Sequence, residues 1–379
     1  MARGSTAGLL PNVAFTPSAE RRGDSGNVFR SADDFGNFGG TRNIFRLPLD
    51  ASYEIDFWGR VRRSIEAARA DAGAAAALGE TARLTLQADM AQNYFALRSV
   101  RAEMDLLTST VKLRRKALDL VRNRFLGGAI SELDVARAEA ELAATESDLV
   151  ALERRRGELV NAIAVLAGRP ASSFDLNVRP LEGDPPGVSA GVPAELLQRR
   201  PDVAEAERKM AAANARIGVA KAAFFPSVRL MGRAALESSA TSNLFTSGSR
   251  AWSLGPSVNF PIFEQAVNRV NYAKQKLEYE ATAANYQATV LTAFQEVENS
   301  LAGLRLLSAQ AAAQERAVAA AEKASGLSRD RFEAGLVSYL EVVDADRTRL
   351  QALRLARQLN GQRFLITVQL IKALGGGWR

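Results

Sequence analysis

The sequence predicts a mixed α and β chain in which two very long helical hairpins alternate with two pairs of strands, the second half repeating the first. Three observations carry this expectation. All 12 prolines lie outside two stretches, residues 50–168 and 262–379, both rich in alanine, leucine, glutamate and arginine, which favour helix. Each stretch is interrupted midway by one motif, Phe125-Leu-Gly-Gly128-Ala-Ile130-Ser131-Glu-Leu133 in the first and Phe332-Glu-Ala-Gly335-Leu-Val337-Ser338-Tyr-Leu340 in the second, at a constant offset of 207 residues. Ahead of each stretch runs a segment that alternates apolar and polar residues, the period of a strand with two unlike faces.

The alternation is clearest over residues 45–57, where Phe45, Leu47, Leu49, Ala51, Tyr53, Ile55 and Phe57 alternate with Arg46, Pro48, Asp50, Ser52, Glu54 and Asp56. That run is long enough for a tilted membrane strand of about 9–11 residues. Residues 252–262 repeat it with Trp252, Leu254, Val258, Phe260 and Ile262 on one face. Weaker versions occupy residues 9–19 (Val13, Phe15) and 228–236 (Leu230, Ala234). Each strong run joins a weak one through a polar loop, residues 22–43 with Gly36, Gly39 and Gly40, and residues 237–251 with Ser247-Gly248-Ser249. Two hairpins are therefore expected. Four strands cannot close a barrel, but three copies would supply an even number within the range of outer-membrane barrels, which implies a trimer if these strands meet lipid.

Residues 61–125 would make roughly 97 Å of helix, against about 30 Å for an ordinary compact domain. Leu84, Leu86, Met90, Tyr94, Leu97, Met104, Leu107 and Val111 give it a seam at three- and four-residue spacing, the mark of a helix with one covered side. The return helices, residues 133–167 and 340–374, are about half as long. A further helix over residues 201–224, opened by Pro201 in its first turn, is expected to stack on the end of the first. The counterpart for the second would precede Met1. In these terms residues 1–194 form one repeat, with a strand hairpin at 9–57 and a helical hairpin at 61–168. Residues 195–379 form the other, with a helix at 201–224, a strand hairpin at 227–263 and a helical hairpin at 264–374.

At the two turns, Gly128 and Gly335 fit the left-handed position that ends a helix. Ser131-x-x-Asp134 and Ser338-x-x-Glu341 read as N-caps of the return helices, the second as a full capping box. Ala129, Ile130, Leu336 and Val337 then stand at the ends of long projections, where only a partner would cover them. Beyond the second turn, Leu340 and Asp344 share a helix face and Asp346 and Arg347 adjoin them. Around a threefold axis each position becomes a ring, and three Asp344 carboxylates at a constriction would favour cations and repel one another.

With no cysteine and no histidine, disulfide, thiol and histidine general-base chemistry are excluded. The charge of +7 arises from 49 basic against 42 acidic residues interspersed along helices, a solvated-face pattern and not a nucleic-acid stripe. No segment reaches the roughly 18–20 consecutive apolar residues of a spanning helix, and the first residues lack the apolar core of a secretory signal. No catalysis, no cofactor, no metal site and no nucleic-acid partner are expected.

Several segments closely resemble the outer-membrane factor family of tripartite efflux and secretion systems, the TolC-like proteins, above all their drug-efflux branch. They are Ala51-Ser-Tyr-Glu-Ile-Asp-Phe-Trp-Gly-Arg60-Val, Leu196-Leu-Gln-Arg-Arg-Pro-Asp-Val203 with Ala206-Glu207, Ala211-Ala-Ala-Asn214-Ala-Arg-Ile-Gly218, Phe224-Phe-Pro226, Phe260-Pro-Ile-Phe263 and Phe294-Gln-Glu-Val-Glu298. With the two turn motifs they span nearly the whole chain in family order. The resemblance implies a homotrimeric channel-tunnel, with a β-barrel in outer-membrane lipid and an α-helical barrel in the periplasm. It implies a passive exit duct whose partners are a periplasmic adaptor and an inner-membrane pump. Gate residues carry over as Leu340, Asp344 and Arg347. Phe332 stands where relatives often have tyrosine, so a hydroxyl-mediated constraint there is lost, and Glu333 replaces a frequent arginine. The docking tips carry over as Gly128, Ile130, Ser131, Gly335, Val337 and Ser338. Relatives begin with a signal peptide, frequently a lipid-bearing cysteine, and helices ahead of the first strand, so by resemblance the chain is expected to be a fragment or a mis-started frame. Two alternatives stand beside efflux: the outer-membrane component of type I protein secretion, and a cytosolic coiled-coil scaffold.

Overall fold

The computed structural model describes residues 6–23, 41–188 and 199–376; Gly36, Gly39, Gly40 and Leu196 to Gln198 lie outside them. The chain forms two compact units, Met1–Ala76 with Glu205–Ala288, and Ala77–Ala204 with Thr289–Arg379.

The first unit contains the sheet. Its strands are β1 (Asn12–Phe15), β2 (Ser18–Gly23), β3 (Thr41–Ile55), β4 (Ser227–Ser238) and β5 (Arg250–Asn259). All pairings are antiparallel, in the order β1 and β2 beside β3, then β4, then β5. The expected strand over residues 9–19 is corrected in two ways. Leu9 belongs to a 3-10 turn, Thr6–Leu9, and the strand breaks between β1 and β2 at Thr16-Pro17. The register across the break is unchanged, Phe15 facing Leu49 and Ser18 facing Arg46. The cause is local: Pro17 has no N–H to give the ladder.

The ladder sorts side chains by chemistry. Phe15, Leu49, Ala234 and Trp252 lie in one row across the sheet, and Val13, Ala51, Gly232 and Leu254 in a parallel row. Toward the end of β3 come Tyr53, Leu230 and Pro256, then Ile55, Val228 and Val258. These four rows make an apolar band across one face, with Trp252 82 % exposed on it, while beyond them the same face carries Ser238 and Arg250. The opposite face carries ion pairs, Arg233 to Asp50 at 3.7 Å, Arg46 to Glu20 at 3.6 Å and Arg229 to Glu54 at 3.6 Å. Among the described residues the outer edges of β1, β2 and β5 pair with nothing.

The helices are α1 (Arg60–Leu126), α2 (Glu132–Leu166), α3 (Pro201–Ala222), α4 (Gln265–Glu333) and α5 (Tyr339–Ala373). Parts of α1, α3 and α4 belong to each unit. None of them is long and apolar enough to cross a membrane. In the second unit, Leu97 of α1 meets Leu159, Val160 and Ile163 of α2. The seam expected on α1 is real at Leu97, Leu107 and Val111, whereas Leu86 and Tyr94 are exposed. The segment after α2 covers this cluster with Phe174, Leu176 and Val178. It is pinned by the Leu181 N–H donating to the Arg98 carbonyl at 3.0 Å and by Arg98 donating back to the carbonyls of Arg179 and Pro180.

Arg200, just before α3, is the main buried cation. It donates to Asp202 at 2.6 Å, to Glu296 of α4 at 2.7 Å and to the Ala373 carbonyl at the end of α5 at 3.0 Å. Burial opposes its charge, but the hydrogen bonds to Asp202 and Glu296 outweigh that and hold its pKa above the ordinary value.

Candidate functional site at the hairpin tips

Both hairpins turn by the same backbone device. At the first, Ala129 N–H donates to the Arg124 carbonyl and Gly128 N–H to that of Phe125; at the second, Leu336 N–H donates to Arg331 and Gly335 N–H to Phe332. These are paired six-to-one and five-to-two bonds, and they require left-handed backbone at Gly128 (φ 73°) and Gly335 (φ 76°). Only glycine adopts that conformation without a steric cost.

The two N-caps differ, which corrects one expectation. Asp134 accepts from the Ser131 N–H at 3.4 Å and from its Oγ at 3.1 Å, the reciprocal half of a capping box. Ser338 has no side-chain cap, and Glu341 instead takes a salt bridge from Arg331 of the outgoing helix at 3.2 Å. The longer glutamate reaches across the hairpin, where a guanidinium offers a stronger partner than a backbone amide.

The apolar tip residues also divide. Ile130 and Val337 fold back on the core formed by Leu118, Val121, Ala138, Phe332, Tyr339, Val342 and Val343. They are not presented outward. Leu126 (81 % exposed) and Leu336 (70 % exposed) are. Gly128, Ser131, Gly335 and Ser338 are exposed.

Phe332, expected at the gate, lies in that core. It packs 5.5 Å from the Tyr339 ring and under the Arg124 guanidinium at 4.5 Å. Arg124 also donates to the Phe332 carbonyl at 3.2 Å, so the first hairpin's tip holds the second's. Burial pushes the Tyr339 phenol above its ordinary pKa, with Asp346 adding to the shift.

On α5, Leu340 and Asp344 are both exposed; among the described residues the Asp344 carboxylate makes no hydrogen bond or salt bridge, and its charge acts on Arg347. Asp346 turns the other way, to Ser325 at 2.5 Å and Arg329 at 3.2 Å. Arg347 crosses to α2, where Glu141 accepts from its Nε at 2.6 Å. That hydrogen bond first, then the Glu141 charge, raises the Arg347 pKa. Glu141 also pairs with Arg114 of α1 at 2.9 Å, and so ties three helices. About two turns further, Arg354 of α5 spans Glu103 at 2.8 Å and Asp148 at 2.6 Å. Sequence reasoning missed Glu141 because it is one acid among many on α2; only its near-complete burial (9 % exposed) distinguishes it. No cluster of three or more potential metal ligands occurs among the described residues.

A family model described as outer membrane efflux protein matches residues 2–169 and 192–376. The chain belongs to the outer membrane efflux protein family. The toluene efflux pump outer membrane protein TtgI of Pseudomonas putida is 34% identical over 359 residues, covering 93% of this chain and 76% of that protein. The cation efflux system protein CusC of Escherichia coli K12 is 32% identical over 348 residues, 90% of this chain and 75% of its own. Among solved structures of the family, the outer-membrane channel OprN superposes with a TM-score of 0.93 at 28% identity over 100% of this chain and 84% of that one. VceC from Vibrio cholerae does so with a TM-score of 0.90 at 27% identity, over 100% and 90%. This outer membrane efflux protein is thus an outer-membrane efflux component, and the cytosolic scaffold is set aside.

Proposed function

We propose that the chain is the passive exit duct of a tripartite efflux system and works as a trimer whose strands close one barrel. The single observation that carries this reading is the sheet: a band of four apolar rows crosses one face from β1 to β5, ion pairs line the other, and among the described residues both edges are unpaired. In lipid an open edge leaves backbone groups without partners, so only closure is stable, and three copies of the four-strand width give an even, family-sized barrel. A periplasmic adaptor and an inner-membrane pump are the partners, and the pump supplies energy and most of the substrate choice. Relatives named for toluene, cation and pyoverdine export match at 34%, 32% and 33% identity, so likeness alone singles out no cargo.

In this reading Leu340 and Asp344 form rings around the axis, and the unpaired Asp344 carboxylates bind multivalent cations. Asp344→Ala is expected to raise single-channel conductance in planar bilayers and to weaken block by added multivalent cations. The helix itself should be undisturbed, since alanine favours it more than aspartate does. Leu340→Ala should raise conductance but leave the block unchanged. Parental conductance and block in both variants would place the constriction elsewhere on α5.

Adaptor docking is assigned to the exposed tips. Gly335→Glu places a charge beside Leu336 and strains a left-handed position by about 1–2 kcal/mol, too little to unfold the helical unit. Export from cells carrying the matching adaptor and pump should fall while trimer yield holds. Normal export by that variant would reduce the tip to a turn. Gly128→Glu is the weaker test, because Gly127 beside it can take over the left-handed conformation.

A further inference from the structure

Where the sheet gives way to helix, the first unit contains an open groove of about 550 Å3. Its walls are the start of α1, with Arg62, Arg63 and Glu66, and the end of α3, with Lys221; Trp58 and Phe225 form its aromatic end. We propose that this groove binds the anionic headgroup of a phospholipid in the leaflet that the barrel meets on its helix side. The proposal rests on the barrel reading above.

Position is the first argument. Ile55, Val228 and Val258 form the last apolar row of the sheet. Trp58 follows Ile55 by three residues and Phe225 precedes β4 by two. The two rings stack at 4.5 Å, and the Trp58 indole N–H donates to the Pro226 carbonyl at 2.8 Å. Exposed Phe57 lies beside them. Amphipathic aromatics at the edge of an apolar band sit at headgroup level.

Charge is the second. Lys221 has no ion pair or side-chain hydrogen bond among the described residues. Arg62 and Arg63 are half or more exposed and face the groove while paired to Asp56 at 3.3 Å and Glu66 at 2.7 Å. Asp56 is already committed to helix amides, accepting from the N–H groups of Val61 at 3.1 Å and Arg62 at 2.9 Å. Three cations thus face two carboxylates, one of which caps a helix, and a headgroup phosphate can take their free donors.

Shape is the third. A Cβ on Gly218 would come within 2.9 Å of Arg63 Cγ and 3.1 Å of its Cδ. The bare glycine therefore lets the Arg63 side chain lie against α3, at the wall that also carries Lys221.

The test reconstitutes the full chain, with Trp252→Phe and Trp378→Phe leaving Trp58 as the reporter, into mixed vesicles of phosphatidylglycerol and phosphatidylcholine. Either lipid carries brominated acyl chains, at equal bromine content. Brominated phosphatidylglycerol should occupy the site next to Trp58 about fivefold more than its share, the preference expected for about one net charge at a membrane surface. The variant Arg62→Gln, Arg63→Gln, Lys221→Gln should abolish that preference. Removing equal charge at Arg115, Arg154 and Arg155 should leave it intact. Inorganic phosphate at matched ionic strength should also leave it; loss there would mark a free-anion site and overturn the lipid assignment. Equal quenching by both lipids, or an unchanged preference in the triple variant, overturns the headgroup site alone. If neither lipid quenches Trp58, and neither quenches Trp252 in the variant Trp58→Phe, Trp378→Phe, the barrel reading falls with it.

Discussion

Glu141→Ala is expected to destabilise the helical unit by about 3 kcal/mol and to raise the open probability of the channel. Glu141 is buried and holds two guanidiniums at once, Arg114 from α1 and Arg347 from α5. Removing it leaves the Arg114 side chain, 14% exposed, with only its hydrogen bonds to the Glu141 carbonyl and Thr145 Oγ1. Most of the loss comes from that uncompensated buried charge. Arg347 is more than half exposed, so its freed end is rehydrated at little cost, and Arg347→Gln alone should cost at most about 1 kcal/mol. The pair is asymmetric, and the asymmetry is the test. Urea denaturation of both variants in detergent gives the stability terms, and planar-bilayer recording gives the open probability. Equal losses in the two variants would show that Glu141 is no hub. The link should not loosen on moderate alkalinisation: an arginine with a raised folded-state pKa keeps its stabilising contribution until pH climbs above that of a free guanidinium.

The second large effect is expected at Arg200. Arg200→Met keeps the length of the side chain but removes the donors that hold Asp202, Glu296 and the Ala373 carbonyl. Asp202 and Glu296 are partly exposed and regain water, so the expected loss is about 2 kcal/mol and not the larger figure for a fully buried pair. Its location should be diagnostic. Amide exchange should accelerate over the last turn of α5, whose carbonyl end Arg200 holds, and much less at the hairpin tips. Arg200→Lys should recover only part of the loss, since one ammonium cannot serve both oxygens of Asp202 and two further acceptors in a planar fork. Uniform acceleration along α5 would refute a local joint.

Much of this fold is legible in the sequence because its strongest signals are local. Freedom from proline sets the long helices, and Gly128 and Gly335 set where they turn. Period-two alternation places the strands, since sorting of faces depends only on neighbours in the chain. What sequence reading misplaced depends on partners far along it. Ile130 and Val337 look like presented apolar residues until the hairpin's own core is seen to take them. Phe332 looks like a pore residue until Arg124, 208 positions away, is found over its ring and on its carbonyl. Glu341 satisfies a capping pattern in sequence, and a guanidinium outbids the backbone for it. Glu141 had no local signature at all.

The two halves of the chain are joined in two chemically different ways. In one unit β3 and β4 share a continuous antiparallel ladder from Phe45 to Ile55, and backbone bonds of that kind are made or broken together. In the other the halves meet through side chains alone, a shared apolar core at the tips and separate polar links, Arg124 on Phe332, Arg347 on Glu141 and Arg354 on Glu103. Such links can be exchanged singly, each guanidinium trading one acceptor for water or another oxygen while the next holds. A chain built this way is welded through its strands and buttoned through its helices. The buttons can be undone in sequence without a cut in the weld.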